Sequence, residues 1–89
     1  MTHWTFLTNH AHVALCLASD PQMVMRKVAV RVGITERAVQ RIVADLVQDG
    51  YLEKELQGRS NVYRLVSSKA LRHPMEQDRT LADLLRLDG

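Results

Sequence analysis

The chain has 89 residues and a net charge of +2, and 46% of its residues are hydrophobic and 25% are charged. This composition excludes a disordered polyelectrolyte, and together with the length it predicts one globular domain over residues 1–89. The longest unbroken apolar run, Val13 to Ala18, is too short to span a bilayer, so we expect no membrane contact. The single cysteine, Cys16, excludes an internal disulfide framework and favours a reducing cytoplasm as the location.

The first predicted element is a helix that follows an extended lead-in at residues 1–7. Thr8 or Asn9 can cap this helix, which is predicted to end at about Ala18. Its apolar side chains lie nearly all round the helix, a pattern typical of burial on every side. In so small a domain, one of those sides could belong to a second subunit.

Residues 23–32 are compatible with both strand alternation and helical periodicity. We predict a short strand at residues 23–24 and then a helix from residue 25 or 26 to Val32. Gly33 follows this helix, and glycine readily adopts the left-handed conformation with which many helices end.

The clearest predicted element is a helix over residues 35–49, with Thr35 as its N-cap and Gly50 at its C-terminal end. Its apolar residues recur at the i, i+3, i+4, i+7, i+8 spacing of one helix face. They are Val39, Ile42, Val43, Leu46 and Val47. The opposite face is hydrophilic.

A hairpin is predicted next, with strands at 51–56 and 62–66 and a turn at 57–61. A hairpin of two strands is not stable alone, so it must pack against the helices, and we expect Tyr63 and Leu65 to supply the contacting face.

A last helix is predicted to begin at Pro74 or Asp78 and to run to about Leu87. Its apolar stripe consists of Leu81, Leu84 and Leu85, with Met75 and Ala82 beside it.

The charges are unevenly distributed along the chain. Residues 26–72 carry ten basic and five acidic side chains, whereas the remaining ends together are negative. Crowding of cations on one surface is what binding to a polyanion requires, but the same charges could merely solvate helices. Charge alone therefore leaves both interpretations open.

Residues 25–47 have the spacing of two helices that cross over a tight turn. Such a crossing needs a small side chain where the helices meet, a glycine for the turn and apolar contacts that fix the second helix. Ala29 and Gly33 meet the first two requirements. Val39 and Ile42 meet the third.

With Gly50-Tyr51-Leu52 and the Gly58-Arg59 turn downstream, the chain over about residues 8–66 resembles the winged helix-turn-helix transcriptional regulators of the MarR/ArsR-like kind. The resemblance implies a mainly α fold with a small β-hairpin: a three-helix core, a two- to three-stranded wing and an extra C-terminal helix at 74–87.

The resemblance also implies sequence-specific binding to double-stranded DNA, with the helix at 35–49 in the major groove and the wing near Arg59 on the backbone or minor groove. The residues expected to contact bases are Thr35, Glu36, Arg37, Gln40 and Arg41. Those expected to contact the backbone, including the wing, are Arg26, Lys27, Arg59, Ser60, Asn61 and Arg64. Arginine can bind guanine, glutamine can bind adenine and glutamate can accept a hydrogen bond from cytosine. Alternatively these side chains are only solvated, or Arg41 pairs with Asp45.

A homodimer is expected through the first helix, the lead-in with Trp4 and Phe6, and the C-terminal helix. A dimer would place two recognition helices on two half-sites. The alternative is that the C-terminal helix packs only on its own domain.

Two other binding functions remain open. A winged helix can bind another protein, although the hydrophilic outer face of 35–48 favours DNA. His12 and Cys16 have metal-ligand spacing and lie near His3 and His10, but the paired cysteines of metal-sensing relatives are missing, so we expect no metal or other cofactor.

Catalysis is not expected. The sequence contains no Gly-rich phosphate loop and no nucleophile with a candidate base in an apolar pocket.

Overall fold

The computed structural model describes residues 4–86. In chain order these residues form α1 (Asn9–Ser19), α2 (Met25–Val32), α3 (Glu36–Gln48), β1 (Leu52–Gln57), β2 (Ser60–Leu65), a 3₁₀ turn (Pro74–Glu76) and α4 (Leu81–Leu85). The helical core with one antiparallel hairpin confirms the predicted fold class. None of the helices within residues 4–86 is long and apolar enough to cross a bilayer.

The core lies where α1, α2 and α3 meet and where the hairpin packs against them. Its least exposed side chains are Val13, Leu17, Val28, Val39 and Leu52. Thr8 caps α1 by accepting a hydrogen bond from the Ala11 N–H, as its sequence position predicts. Burial of these side chains removes apolar surface from water, which is the main force holding the elements together.

The predicted crossing of α2 and α3 is present. Ala29 is buried in the core, and its carbonyl accepts hydrogen bonds from the N–H groups of Gly33 and Ile34. Gly33 has a φ of 87°, the left-handed conformation that allows the chain to leave α2 abruptly. Thr35 then caps α3 through its hydroxyl.

The hairpin is more regular than predicted. Leu52 pairs with Leu65 at one end and Gln57 with Ser60 at the other, so the turn contains only Gly58 and Arg59. The predicted five-residue turn at 57–61 is therefore wrong. Gly58 has a φ of 62° and Arg59 has a negative φ, the pattern of a type II′ turn whose twist matches that of the strands. Tyr63 and Leu65 pack against the helical core, as expected.

The predicted strand at residues 23–24 does not form, and the described residues contain a sheet of two strands. The turn at residues 21–22 and the start of α2 at Met25 leave too little extended chain for a ladder. One backbone hydrogen bond, from the Tyr63 N–H to the Pro21 carbonyl at 3.0 Å, joins this segment to the hairpin.

The C-terminal helix is shorter than predicted. Residues 69–71 lie against residues 79–81 through an Ala70–Thr80 bridge and flanking backbone hydrogen bonds, so a helix cannot continue through this region. Pro74 opens only a 3₁₀ turn, and Met75 is 86% exposed rather than beside the leucine stripe. Leu81 is buried and α4 contacts α1; the predicted end at Leu87 lies outside the described residues.

The Thr80 N–H donates to the Asp83 carboxylate at 2.9 Å at the start of α4. This backbone hydrogen bond lowers the pKa of Asp83 below its ordinary value, because it stabilises the ionised form. The tertiary contacts of the preceding segment thus determine where α4 begins, and its own N-terminal hydrogen bond holds it there.

Candidate nucleic-acid interface

Helix α3 has two chemically distinct sides. Val39, Ile42 and Val43 are buried against the core. All of the predicted base-contacting residues are exposed: Thr35, Glu36, Arg37, Gln40 and Arg41. The amphipathic spacing read from the sequence therefore corresponds to a buried side and an accessible side of the same helix.

The start of α3 is ordered by its own cap. The Thr35 hydroxyl accepts a hydrogen bond from the Ala38 N–H at 3.0 Å, which satisfies one of the free donors of the first turn. The Thr35 hydroxyl hydrogen stays available to donate, since the cap uses only a lone pair. Glu36 follows at the positive end of the helix dipole, where a carboxylate is favoured.

The wing tip lies beside the start of α2 and α3. A groove of about 430 Å³ between them is lined by Arg26 of α2, Glu36 of α3 and the wing residues Arg59, Ser60 and Asn61. Residues from three separate elements are thus brought to one surface. We call this groove, together with the exposed side of α3 and Lys27, the candidate interface.

The cations of the candidate interface are not neutralised internally. Within residues 4–86 the structure records no ion pair for them. They are Arg26, Lys27, Arg37, Arg41 and Arg59. A phosphate would therefore not have to displace an intramolecular carboxylate from these side chains.

Arg64 differs from the other predicted backbone contacts. It lies opposite Glu53 in the hairpin, and its Nη2 and Nε donate to Glu53 Oε1 at 2.6 and 3.1 Å. These hydrogen bonds and the charge of Glu53 raise the pKa of Arg64 above its ordinary value. Since both side chains are exposed, solvent screens the pair.

A hydrogen bond and an ion pair, which local spacing does not indicate, hold the other end of α3. His10 Nε2 lies 3.0 Å from Asp45 Oδ2 and connects α1 to α3. Arg72 Nη1 lies 2.7 Å from Asp49 Oδ2 and connects the C-terminal segment (residues 67–86) to the end of the helix. Asp45 is therefore directed toward His10, and Arg41 does not pair with it.

Tyr51 reinforces the same region. Its side chain is buried, its hydroxyl donates to the Ala70 carbonyl at 2.6 Å, and Lys69 Nζ lies 5.2 Å from the ring centroid. Burial raises the pKa of the Tyr51 phenol, because the ionised form would lose hydration there.

A larger groove, of about 580 Å³, opens between α1, the C-terminal half of α3 and the C-terminal segment. Its lining is mainly apolar and includes Phe6, Leu46, Leu71 and Leu84. This groove does not contain any of the predicted DNA-contacting residues, so it is separate from the candidate interface.

The residues considered as metal ligands have other contacts. His10 binds Asp45, and His12 Nδ1 lies 3.3 Å from Asn9 Oδ1. In the part of the chain that the structure describes, no three His, Cys, Asp or Glu side chains are grouped as a metal site would require. His3 lies outside the described residues.

Comparison with known proteins points to the same architecture. Residues 15–53 match the family model described as winged helix-turn-helix DNA-binding. No curated protein matches the chain.

Two solved structures resemble the chain. The PcaV transcriptional regulator from Streptomyces coelicolor, crystallised with its natural ligand, is 27% identical with a TM-score of 0.57, over 67% of this chain and 45% of that protein. The zinc-dependent MarR family transcriptional regulator AdcR in its Zn(II)-bound state is 26% identical with a TM-score of 0.52, over 73% of this chain and 47% of that protein. The chain thus matches a little under half of each.

The helix order, the left-handed glycine before α3 and the two-stranded hairpin after it agree with these similarities. The chain folds as a winged helix-turn-helix domain, and its structural neighbours are transcriptional regulators that include a member of the MarR family.

Proposed function

We propose that the chain is a sequence-specific, double-stranded-DNA-binding transcriptional regulator of the cytoplasm. Helix α3 enters the major groove, and the wing near Arg59 lies on the backbone or in the minor groove. The observation that carries the proposal is the exposed side of the N-terminal half of α3, where Arg37, Gln40 and Arg41 have no intramolecular ion pair within residues 4–86. The proposal includes no catalytic step.

Base recognition is assigned to the N-terminal half of α3, which meets the bases in this type of docking. Arg37 and Arg41 suit the two acceptors of guanine, and Gln40 suits adenine. Glu36 borders the groove that also contains Arg26 and Arg59, so its carboxylate lies near cations that offset repulsion from phosphate. There Glu36 accepts a hydrogen bond from cytosine.

Backbone contacts are assigned to Arg26, Lys27 and the wing tip. Arg59 is the second residue of a two-residue turn, which projects its side chain from the end of the hairpin. Ser60 and Asn61 provide short hydrogen-bonding groups beside it. Arg64 keeps N–H donors that Glu53 does not use, and these supply its phosphate contact.

Binding to DNA is favoured over binding to another protein by the chemistry of the same helix. A protein-binding surface is expected to present aromatic or large aliphatic side chains at its centre. Among the residues of α3, Val47 is the large apolar side chain that is exposed, at 38%. It lies near the C-terminal end of the helix, whereas Glu36, which borders the groove beside the wing, lies at the N-terminal end.

A homodimer is the proposed functional form, through α1, the lead-in and α4. Trp4 and Phe6 contact each other edge to face with centroids 4.8 Å apart, yet they are 64% and 91% exposed. Aromatic side chains this exposed on a small domain favour burial against a second protomer. Sedimentation that finds only a 10.1 kDa species at tens of micromolar protein would contradict the dimer.

Selection from a random duplex library, followed by binding measurements at two salt concentrations, tests the proposal. We expect one enriched sequence whose affinity falls steeply with salt, because phosphate contacts release counterions. Arg79→Ala serves as the control, since this exposed cation lies in the C-terminal segment away from the candidate interface. Absence of any enriched sequence would overturn the proposal.

A further inference from the structure

An exposed leucine on the wing is not explained by the fold. Leu56 belongs to β1 and is 69% exposed. It lies two residues before the turn that contains Gly58 and Arg59. Its neighbour on the same strand face toward the base of the hairpin, Lys54, is also exposed. Leu56 therefore adds nothing substantial to the core that Leu52 helps to form.

The register shows which way this leucine faces. Leu56 pairs with Asn61, and residues directly opposite in an antiparallel hairpin share one face of the sheet. Asn61 lines the groove between the wing and the start of α2 and α3. Leu56 is thus on the groove side of the hairpin, beyond the edge of the helical core.

The surrounding charges identify the kind of partner. Lys54 on the same face and Arg59 in the turn form no ion pair within residues 4–86. A second copy of the chain packed symmetrically on this face would bring like charges together, which is unfavourable. A polyanion with apolar walls fits both the cations and the leucine, and the minor groove of DNA, walled by deoxyribose rings, has that character.

We propose that Leu56 packs against the deoxyribose wall of the minor groove beside which the wing docks, while Arg59 supplies the charge contact. This inference rests on the proposed binding of duplex DNA. It makes the wing a contact of two kinds: an apolar one that does not depend on salt and a cationic one that does.

The test is the affinity of the full chain for its selected duplex, measured across a series of salt concentrations. We expect Leu56→Ala to weaken binding about threefold to tenfold at every salt concentration without changing the salt slope, because burial of apolar surface releases no counterion. Arg59→Ala is expected to reduce the slope by about 1. Leu56→Met, which keeps a large apolar side chain at this position, is expected to bind with the affinity of the parent chain.

Val30→Ala is the matched control, because Val30 is an aliphatic residue of α2 that is 76% exposed. It is expected to bind like the parent chain. Equal affinity of Leu56→Ala and the parent, or a loss confined to self-association, would overturn the inference. Failure of the parent chain to bind any duplex would instead overturn the proposed function.

Discussion

The two halves of helix α3 are held differently. In the N-terminal half, Arg37, Gln40 and Arg41 have no side-chain hydrogen bond or ion pair within residues 4–86. At the C-terminal end, Asp45 of the helix and its C-cap residue Asp49 are each paired with a residue from outside the helix. One continuous helix thus combines an end available to a ligand with an end attached to the rest of the domain.

The comparison shows where the two aspartates at the C-terminal end of α3 are directed, whereas Glu36 at the other end borders the candidate interface. A carboxylate near the candidate interface would repel phosphates, and an unpaired one would compete for the interface arginines. His10 and Arg72 hold Asp45 and Asp49 toward α1 and the C-terminal segment instead. Exposed pairs of this kind contribute only about 0–1 kcal/mol of stability, so their positions matter more than their strength.

The largest expected effect is on the free energy of unfolding, and it distinguishes the buried side of α3 from the exposed side at two adjacent residues. Ile42→Ala should lower the free energy of unfolding by about 2–5 kcal/mol, because Ile42 is buried and its loss leaves a cavity. Arg41→Ala, one position earlier on the exposed side, should change it by no more than about 0.5 kcal/mol. Urea denaturation measures both. Similar losses for the two variants would contradict the two-sided description of the helix.

The next effect is on DNA binding. Arg37→Ala and Gln40→Ala should each weaken binding by about 1–3 kcal/mol and relax the preference at one base position. Asp49→Asn at the C-cap of α3 should leave the preferred sequence unchanged. Repeating the library selection with each variant measures this. If Gln40→Ala left the preferred sequence untouched, the assumed orientation of α3 would be wrong.

The same contrast explains what was predictable from sequence. The bounds of α3, its Thr35 cap and its exposed residues follow from local spacing, since periodicity and capping need only neighbouring residues. The pairs of His10 with Asp45 and of Arg72 with Asp49 join residues 35 and 23 positions apart, and no local pattern encodes them.

The regions predicted wrongly have different causes, and one of them, the last helix, depends on contacts between distant residues. Residues 23–24 contain strand-forming side chains but lack room for a ladder before α2. The last helix starts late because backbone bonds between residues 69–71 and 79–81 override its helical spacing. The predicted hairpin turn is too long, because Gly58 with its positive φ permits a connection of only two residues. The DNA contacts of individual side chains remain predictions.

A smaller effect on stability is expected at the start of the N-terminal half of α3, the half that is available to a ligand. Thr35→Ala should lower the free energy of unfolding by about 1 kcal/mol, because the Ala38 N–H loses its acceptor. Thr35→Ser keeps the hydroxyl oxygen and should retain most of the stability. Thermal unfolding of the two variants provides the measurement, and equal destabilisation by both would show that the methyl group of Thr35, rather than its cap, is what matters.

The smallest effect concerns the boundary between the two halves. His10→Ala removes the partner of Asp45, which then can pair with Arg41 one helical turn earlier, an interaction of about 0.2–0.5 kcal/mol. Arg41 would then be partly neutralised, and we expect about a twofold loss of DNA affinity at low salt that disappears at high salt. The double variant His10→Ala/Asp45→Asn should recover the affinity, because no carboxylate remains to bind Arg41. If the double variant bound as weakly as the single one, His10 would act on the candidate interface by a route other than holding Asp45 away from it.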